Sequence, residues 1–184
     1  MKIAIISAST RTGRQSHKVA LGLELALAKF ENIYTELIDL KTANLPLFEE
    51  TMEKASTNQN DIKKLHAQLN AADAFLFVTP EYNGSYSSAL QNMVDHYPKS
   101  TFAKKAVGIV TVTSGALGGM RAALHLQQFI LAFWAIPSPQ MLLVPSVQNK
   151  FDEIGNLLDE NFTKNVSSFL NEFIWLAKAL NNAK

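Results

Sequence analysis

Residues 7–18, SASTRTGRQSHK, place five hydroxyls (Ser7, Ser9, Thr10, Thr12, Ser16) and three cations (Arg11, Arg14, Lys18) in twelve positions. The stretch follows a β-branched run and precedes an amphipathic pattern, so it reads as a loop feeding the first turn of a helix. The leading amide hydrogens of such a helix have no intrahelical acceptor. Hydroxyls, a guanidinium and unpaired amides are together what a phosphate group requires. A charge-assisted hydrogen bond contributes roughly 1.5–3 kcal/mol, so a few of them anchor a phosphate monoester. The plainer explanation is a helix cap at Ser16 with a solvated basic loop. Neither G-x-G-x-x-G nor G-x-x-x-x-G-K-[ST] occurs in this loop, whose one glycine is Gly13. Those patterns bring backbone close to a pyrophosphate. A hydroxyl-rich loop suits a terminal monophosphate instead, such as that of flavin mononucleotide (FMN).

A second stretch, PEYNGSYSS over residues 80–88, carries more turn chemistry than a plain connection needs. Asn83 and Gly84 form a turn signal, with Gly84 tolerating positive φ. Pro80 withholds a backbone donor and ends a strand. Tyr82 offers a flat face for packing. A bent peptide with exposed amides and carbonyls matches the pyrimidine edge of a flavin ring. The plainer explanation is a strand-to-helix loop with Ser85 as N-cap. A third stretch, TSGALGGMR over residues 113–121, lets backbone approach a flat ring at Gly115, Gly118 and Gly119, or is simply a flexible turn.

Three loops serve one site only if the fold gathers them. Residues 2–7 read as a fully buried strand. Val19, Ala20, Leu23, Ala26, Leu27 and Phe30 then mark one helical face. Further strands are expected over 33–40, 73–78, 106–112 and 140–144. Helices are expected around 62–69, 86–97, 120–134 and 162–180. Strand and helix thus alternate five times along the chain. That alternation predicts an α/β, flavodoxin-like, doubly wound five-stranded parallel sheet, order 2-1-3-4-5, with helices on both faces. Ligands bind such sheets outside the carboxyl ends of the strands, where the strand order reverses. That point lies between the first and third strands, where the first two loops meet, with the third loop beside them.

Bulk properties narrow the classes. A length of 184 residues favours one domain over residues 1–184. With 17 basic and 16 acidic residues, no strong field argues for nucleic acid or an anionic membrane. The absence of cysteine excludes disulfides, thiol nucleophiles and thiolate metal sites. No apolar run is long enough to span a bilayer, the N-terminal run is too short for a signal peptide, and the cytoplasm is the expected location. His17, His66, His96 and His125 lie in no H-E-x-x-H pattern, and no G-x-S-x-G elbow occurs. No metal site or hydrolase is therefore expected, and His66 reads as packed on a helix face.

On these residues the sequence resembles the NADPH-dependent FMN reductase family of flavodoxin-like quinone, azo and chromate reductases. The family's marks are a phosphate loop G-S-x-R-x-x-S and the peptide P-E-Y-N. Ser9, Arg11 and Ser16 stand at the matching phosphate positions, with two extra residues between Arg11 and Ser16, so residues 12–15 align in more than one way. PEYNGSYSSALQNMVD matches closely, including the helix that follows. Weaker echoes are Asp39-Leu40 followed by Leu45-Pro46-Leu47-Phe48, and KFDEIGNL from Lys150. His96 departs from the pattern where a Trp is common, and is expected to alter the pocket rim rather than the chemistry.

The resemblance implies that Ser9, Arg11 and Ser16, with the amides of His17 and Lys18, hold the FMN phosphate. It implies that Pro80, Glu81, Tyr82, Asn83, Gly84 and Ser85 line the flavin ring. Ser114, Gly115 and Gly118 would approach its other side. NADPH or NADH would pass hydride to the flavin. The reduced flavin would then reduce a small-molecule acceptor (a quinone, an azo compound, free flavin or a metal oxyanion) in ping-pong fashion. No side-chain acid or nucleophile is assigned, because the flavin carries the chemistry. A homodimer or homotetramer is implied. Two rivals stand beside this reading. One is a non-enzymatic flavodoxin-type electron carrier, whose docking surface is strongly acidic. The other is a binding module for a different phosphorylated ligand. The apolar helix over 120–134 suits a dimer interface or deep packing, the former preferred. The loop over 41–56 suits a substrate rim or an oligomer contact. Of the two loop arginines, Arg11 is expected to matter more for FMN than Arg14.

Overall fold

Strand β1 (Lys2–Ser7) lies inside the sheet, between the edge strand β2 (Tyr34–Asp39) and the central strand β3 (Ala74–Pro80). The computed structural model describes residues 1–54 and 59–183, so the end of the 41–56 loop lies outside the described residues. Both pairings are parallel, and they bring Ser7 level with Asp39 and with Val78. β4 (Ala106–Val112) continues the sheet beyond β3, with Pro80 level with Val112. β5 (Ile136–Pro137) and β6 (Leu142–Val144) both pair in parallel with β4. The order is β2-β1-β3-β4-β5, with β6 also on β4. The fifth place is thus shared by two short segments, and the strand expected over 140–144 is found as β6. Pro137 and Pro139 explain the break, because proline cannot donate to the ladder and is tolerated at a sheet edge.

β3 and β4 are buried at every position, as expected for strands covered on both faces. α1 (Ser16–Leu27) and α5 (Thr163–Asn182) cover one face, with Leu23, Leu27, Phe169 and Phe173 in that core. α2 (Gln59–Ala71), α3 (Ser88–Asp95) and α4 (Met120–Ala132) cover the other, around Phe75, Phe77, Phe102 and Phe133. His66 stacks on Tyr97 with ring centroids 5.3 Å apart and lies 3.0 Å from the Thr101 hydroxyl, a packed histidine as expected.

α4 ends at Ala132, two residues earlier than expected, where the chain reaches Trp134 at φ +64°. The helix is not sunk on all sides. Leu124 (47 % exposed), Leu131 (58 %) and neighbouring Trp134 (65 %) face outward. The described part of the loop after β2 is pinned to α3 by one side chain. Asn92 accepts from the Phe48 amide at 2.8 Å and donates to the Pro46 carbonyl at 2.8 Å. His96 is buried beneath that loop, edge-on to Phe48.

Candidate functional site

The loops after β1 and β3 are tied together by hydroxyls. Ser87 Oγ donates to the Ala8 carbonyl at 2.6 Å, and the Ser87 amide donates to Thr79 Oγ1 at 2.9 Å. Ser9 Oγ lies 2.8 Å from the Tyr82 hydroxyl. Ser87, not Ser85, caps α3, accepting from the Leu90 amide at 3.3 Å. Ser85 is engaged elsewhere: it and Tyr82 exchange two backbone hydrogen bonds, 2.9 and 3.0 Å long, across Asn83-Gly84. Asn83 (φ +51°) and Gly84 (φ +80°) both adopt the left-handed region. This is a type I′ turn, the geometry for which Asn-Gly is the preferred pair. It uses the amides of Tyr82 and Ser85 internally, and the Glu81 amide donates to the Val112 carbonyl. The amides of Asn83 and Gly84 have no carbonyl acceptor among the described residues. Arg121, at the start of α4, lies 3.5 Å from where a Gly84 side chain would begin and pairs with Glu81 at 3.1 Å.

In the first loop the cations divide. Arg14 forms a bidentate pair with Asp39, and its Nη1 also donates to the Ser9 carbonyl at 2.8 Å. Lys18 pairs with Glu153 at 2.5 Å. Arg11 is exposed, with its guanidinium carbon 5.7 Å from the centre of the Tyr82 ring, where a cation meets the negative ring face. His17 Nδ1 lies 3.0 Å from Ser7 Oγ. Burial and then the Arg14 guanidinium push His17 below the ordinary imidazole range, against the pull of Asp39.

Gln15 occupies the N-cap position of α1 in helical conformation and makes no capping bond, and Ser16 is the first helical residue. Ser16 is 2 % exposed, yet its Oγ has no hydrogen-bond partner among the described residues, and neither has Gln15 Oε1. A buried hydroxyl without a partner costs about 1–3 kcal/mol. The amides of Ser16 and His17 also lack a carbonyl acceptor among the described residues, whereas the Lys18 amide donates to Gln15 at 3.1 Å.

These groups surround a cleft of about 250 Å³. Ser9, Arg11, Ser16, Pro80, Glu81 and Tyr82 line it together. Asn83, Gly84 and Ser85 make the turn beyond Tyr82, and His17 and Lys18 lie in the first turn of α1. Ser114, Gly115 and Gly118 lie in the loop after β4, outside the lining, and His96 is not on the rim. A side chain at Gly118 would begin 2.7 Å from Leu143 Cβ, so its close approach is to β6. Thr113 and Val147, not expected from the sequence, line the cleft from the β4 and β6 ends. The Val147 amide donates to the Thr113 carbonyl at 3.2 Å, and only its place just past β6 would have suggested it.

Known proteins are similar to this chain in sequence and in fold. An NAD(P)H-dependent FMN reductase from Pseudomonas aeruginosa is 32% identical over 164 residues, covering 87% of this chain and 86% of its own. A quinone reductase from Pseudomonas putida is 32% identical over 165 residues, covering 86% and 85%. An NADPH azoreductase from a Bacillus species is 28% identical over 155 residues, covering 84% and 83%. Among solved structures, the flavoenzyme NAD(P)H:(acceptor) oxidoreductase FerB from Paracoccus denitrificans superimposes with TM-score 0.81 over 97% of both chains at 21% identity, a likeness of fold. Residues 1–149 match the family described as NADPH-dependent FMN reductase. Its flavodoxin-like sheet, its P-E-Y-N turn and this match over most of its length place the chain in one group: it belongs to the NADPH-dependent FMN reductase family.

Proposed function

We propose that the cleft between the β1 and β3 tips is the FMN site of an NAD(P)H-dependent oxidoreductase, with the phosphate in the loop before α1. The observation that carries this reading is the buried Ser16 hydroxyl, which has no partner among the described residues, beside two amides at a helix start that have no carbonyl acceptor among them. A phosphate monoester supplies the acceptors these donors need, and the helix N-terminus favours its charge. Arg11, which pairs with no carboxylate among the described residues, adds the charge-assisted contact. The donor set therefore fits the group. Ser9 and Tyr82 hold each other at the junction of phosphate loop and ring wall. The Asn83 and Gly84 amides are the donors available to the polar edge of the ring, and their fixed turn needs no reorganisation as negative charge builds there. When bound, FMN supplies the hydride and electron transfer between a nicotinamide and the acceptor. The chain's own residues bind, orient and shield, and no side chain is assigned a proton-transfer step.

The relatives' names direct the acceptor class to small organic molecules, and we take a quinone or an azo compound as the substrate of this chain. We also infer a homodimer through the outward face of α4, where Leu124, Leu131 and Trp134 present apolar surface. Light scattering at micromolar concentration is expected to give twice the chain mass, and a monomer would remove this inference. The function itself is tested by steady-state NAD(P)H consumption with a quinone. Turnover supports the enzyme, while a flavin-loaded protein inert to NAD(P)H would make it an electron carrier.

A further inference from the structure

Asp39 ends β2 level with Ser7, the last residue of β1. Its carboxylate receives Arg14 in a bidentate pair and accepts from the Lys41 amide at 3.0 Å. Both side chains are largely enclosed, 13% exposed for Arg14 and 15% for Asp39. Arg14 Nη1 reaches further, to the Ser9 carbonyl at 2.8 Å. One planar fork thus connects three places: the tip of β2, the loop residue directly before Gln15 and Ser16, and the backbone of Ser9. Ser9 and Ser16 line the cleft. Arg14 lines the same cleft, but its charge is matched by Asp39 and its fork is spent on Asp39 and the Ser9 carbonyl, so its side chain organises the loop. An ammonium cannot copy this, because a lysine has no rigid fork to pair with a carboxylate and a carbonyl at once.

We propose that Asp39, acting through Arg14, is a positioning residue for the cofactor phosphate: it holds residues 9–16 in the shape that presents Ser9, Arg11 and Ser16 together. This rests on the reading of that loop as the phosphate site. The two ways Asp39 could act have opposite signs. If it acted only by its charge, Asp39→Asn would release the Arg14 cation and strengthen the binding of an anion. If it positions the loop, the same change weakens that binding, because a neutral amide cannot hold the guanidinium in place.

The experiment measures dissociation constants for FMN and for riboflavin, which lacks the phosphate, on the full chain stripped of flavin. Wild type, Asp39→Asn, Arg14→Lys and the double variant are compared. Wild type is expected to prefer FMN. Each single variant is expected to lose about tenfold in FMN affinity, the scale of one charge-assisted hydrogen bond, while its riboflavin affinity is unchanged. The double variant is expected to be no worse than either single, as for two residues acting as one unit. FMN binding as tight as or tighter than wild type in Asp39→Asn overturns the positioning role. Parallel loss of riboflavin affinity in both single variants also overturns it, since that marks a general loss of structure. A wild type that does not prefer FMN over riboflavin would instead sink the phosphate-site reading, and the positioning role with it.

Discussion

Arg11 and Arg14 are three positions apart and of one chemical type, yet their surroundings give them different tasks. Arg14 is neutralised by Asp39, while Arg11 stays exposed over Tyr82. Arg11→Ala is expected to weaken FMN binding by roughly 1.5–3 kcal/mol, and Arg14→Ala by less. Equal losses by flavin titration would mean that the contacting cation is misassigned. Ser16 allows a sharper separation. Removing a buried hydroxyl that lacks a partner among the described residues relieves the protein without flavin, so Ser16→Ala should leave its thermal midpoint level or higher. The same variant should bind FMN about tenfold more weakly. A lower midpoint in the flavin-free protein would show that the hydroxyl has an internal partner. The hydroxyl and guanidinium content of this loop was legible in the sequence. The division between its cations was not, because it depends on Asp39 arriving from a strand 25 positions along the chain.

The two strand tips are joined by Ser87, which caps α3 and ties the Ala8 carbonyl and Thr79 hydroxyl across the crevice. Ser87→Ala removes a cap and a buried hydrogen bond together and should cost about 1–3 kcal/mol in unfolding free energy. Denaturant titration checks this, and a loss below a few tenths of a kcal/mol would mean the tie is dispensable. Serines at 85, 87 and 88 all satisfy the chemical preference for an N-cap, so composition alone did not choose between them. The Asn83-Gly84 turn decided it by occupying Ser85. Strand positions in the buried sheet were readable because short, continuous apolar runs bounded by turn residues have few alternatives. The outer strand was less so, since Pro137 and Pro139 break its ladder into β5 and β6.

Across the whole molecule, ionisation adds a pH dependence with a definite sign. Burial raises the Asp39 carboxyl, but the Arg14 guanidinium and Lys41 amide overcome it and hold it below its usual range. Glu36 is likewise held down, by Lys2 and Gln68 against burial. A depressed carboxylate contributes stability that is complete above its unfolded pKa of about 4 and is lost as pH falls through the folded value. His17 is also depressed, so its contribution is present above about pH 6.5 and declines as pH falls below that. The thermal midpoint should therefore fall in two stages on acidification, and His17→Asn should remove the upper one. A single stage shared by both proteins would contradict this assignment. The alternation of strands and helices made the topology and the switch point legible from the sequence. The apolar character of the 120–134 helix was legible too, but periodicity could not tell which of its apolar residues face outward, as Leu124 and Leu131 do.

The most direct test of the FMN site is titration of the flavin-stripped chain with FMN, followed by visible absorbance. Saturable uptake of one FMN per chain, a bound-flavin spectrum, and bleaching of that spectrum by NADPH or NADH are expected. No measurable uptake of FMN by a folded protein would contradict it.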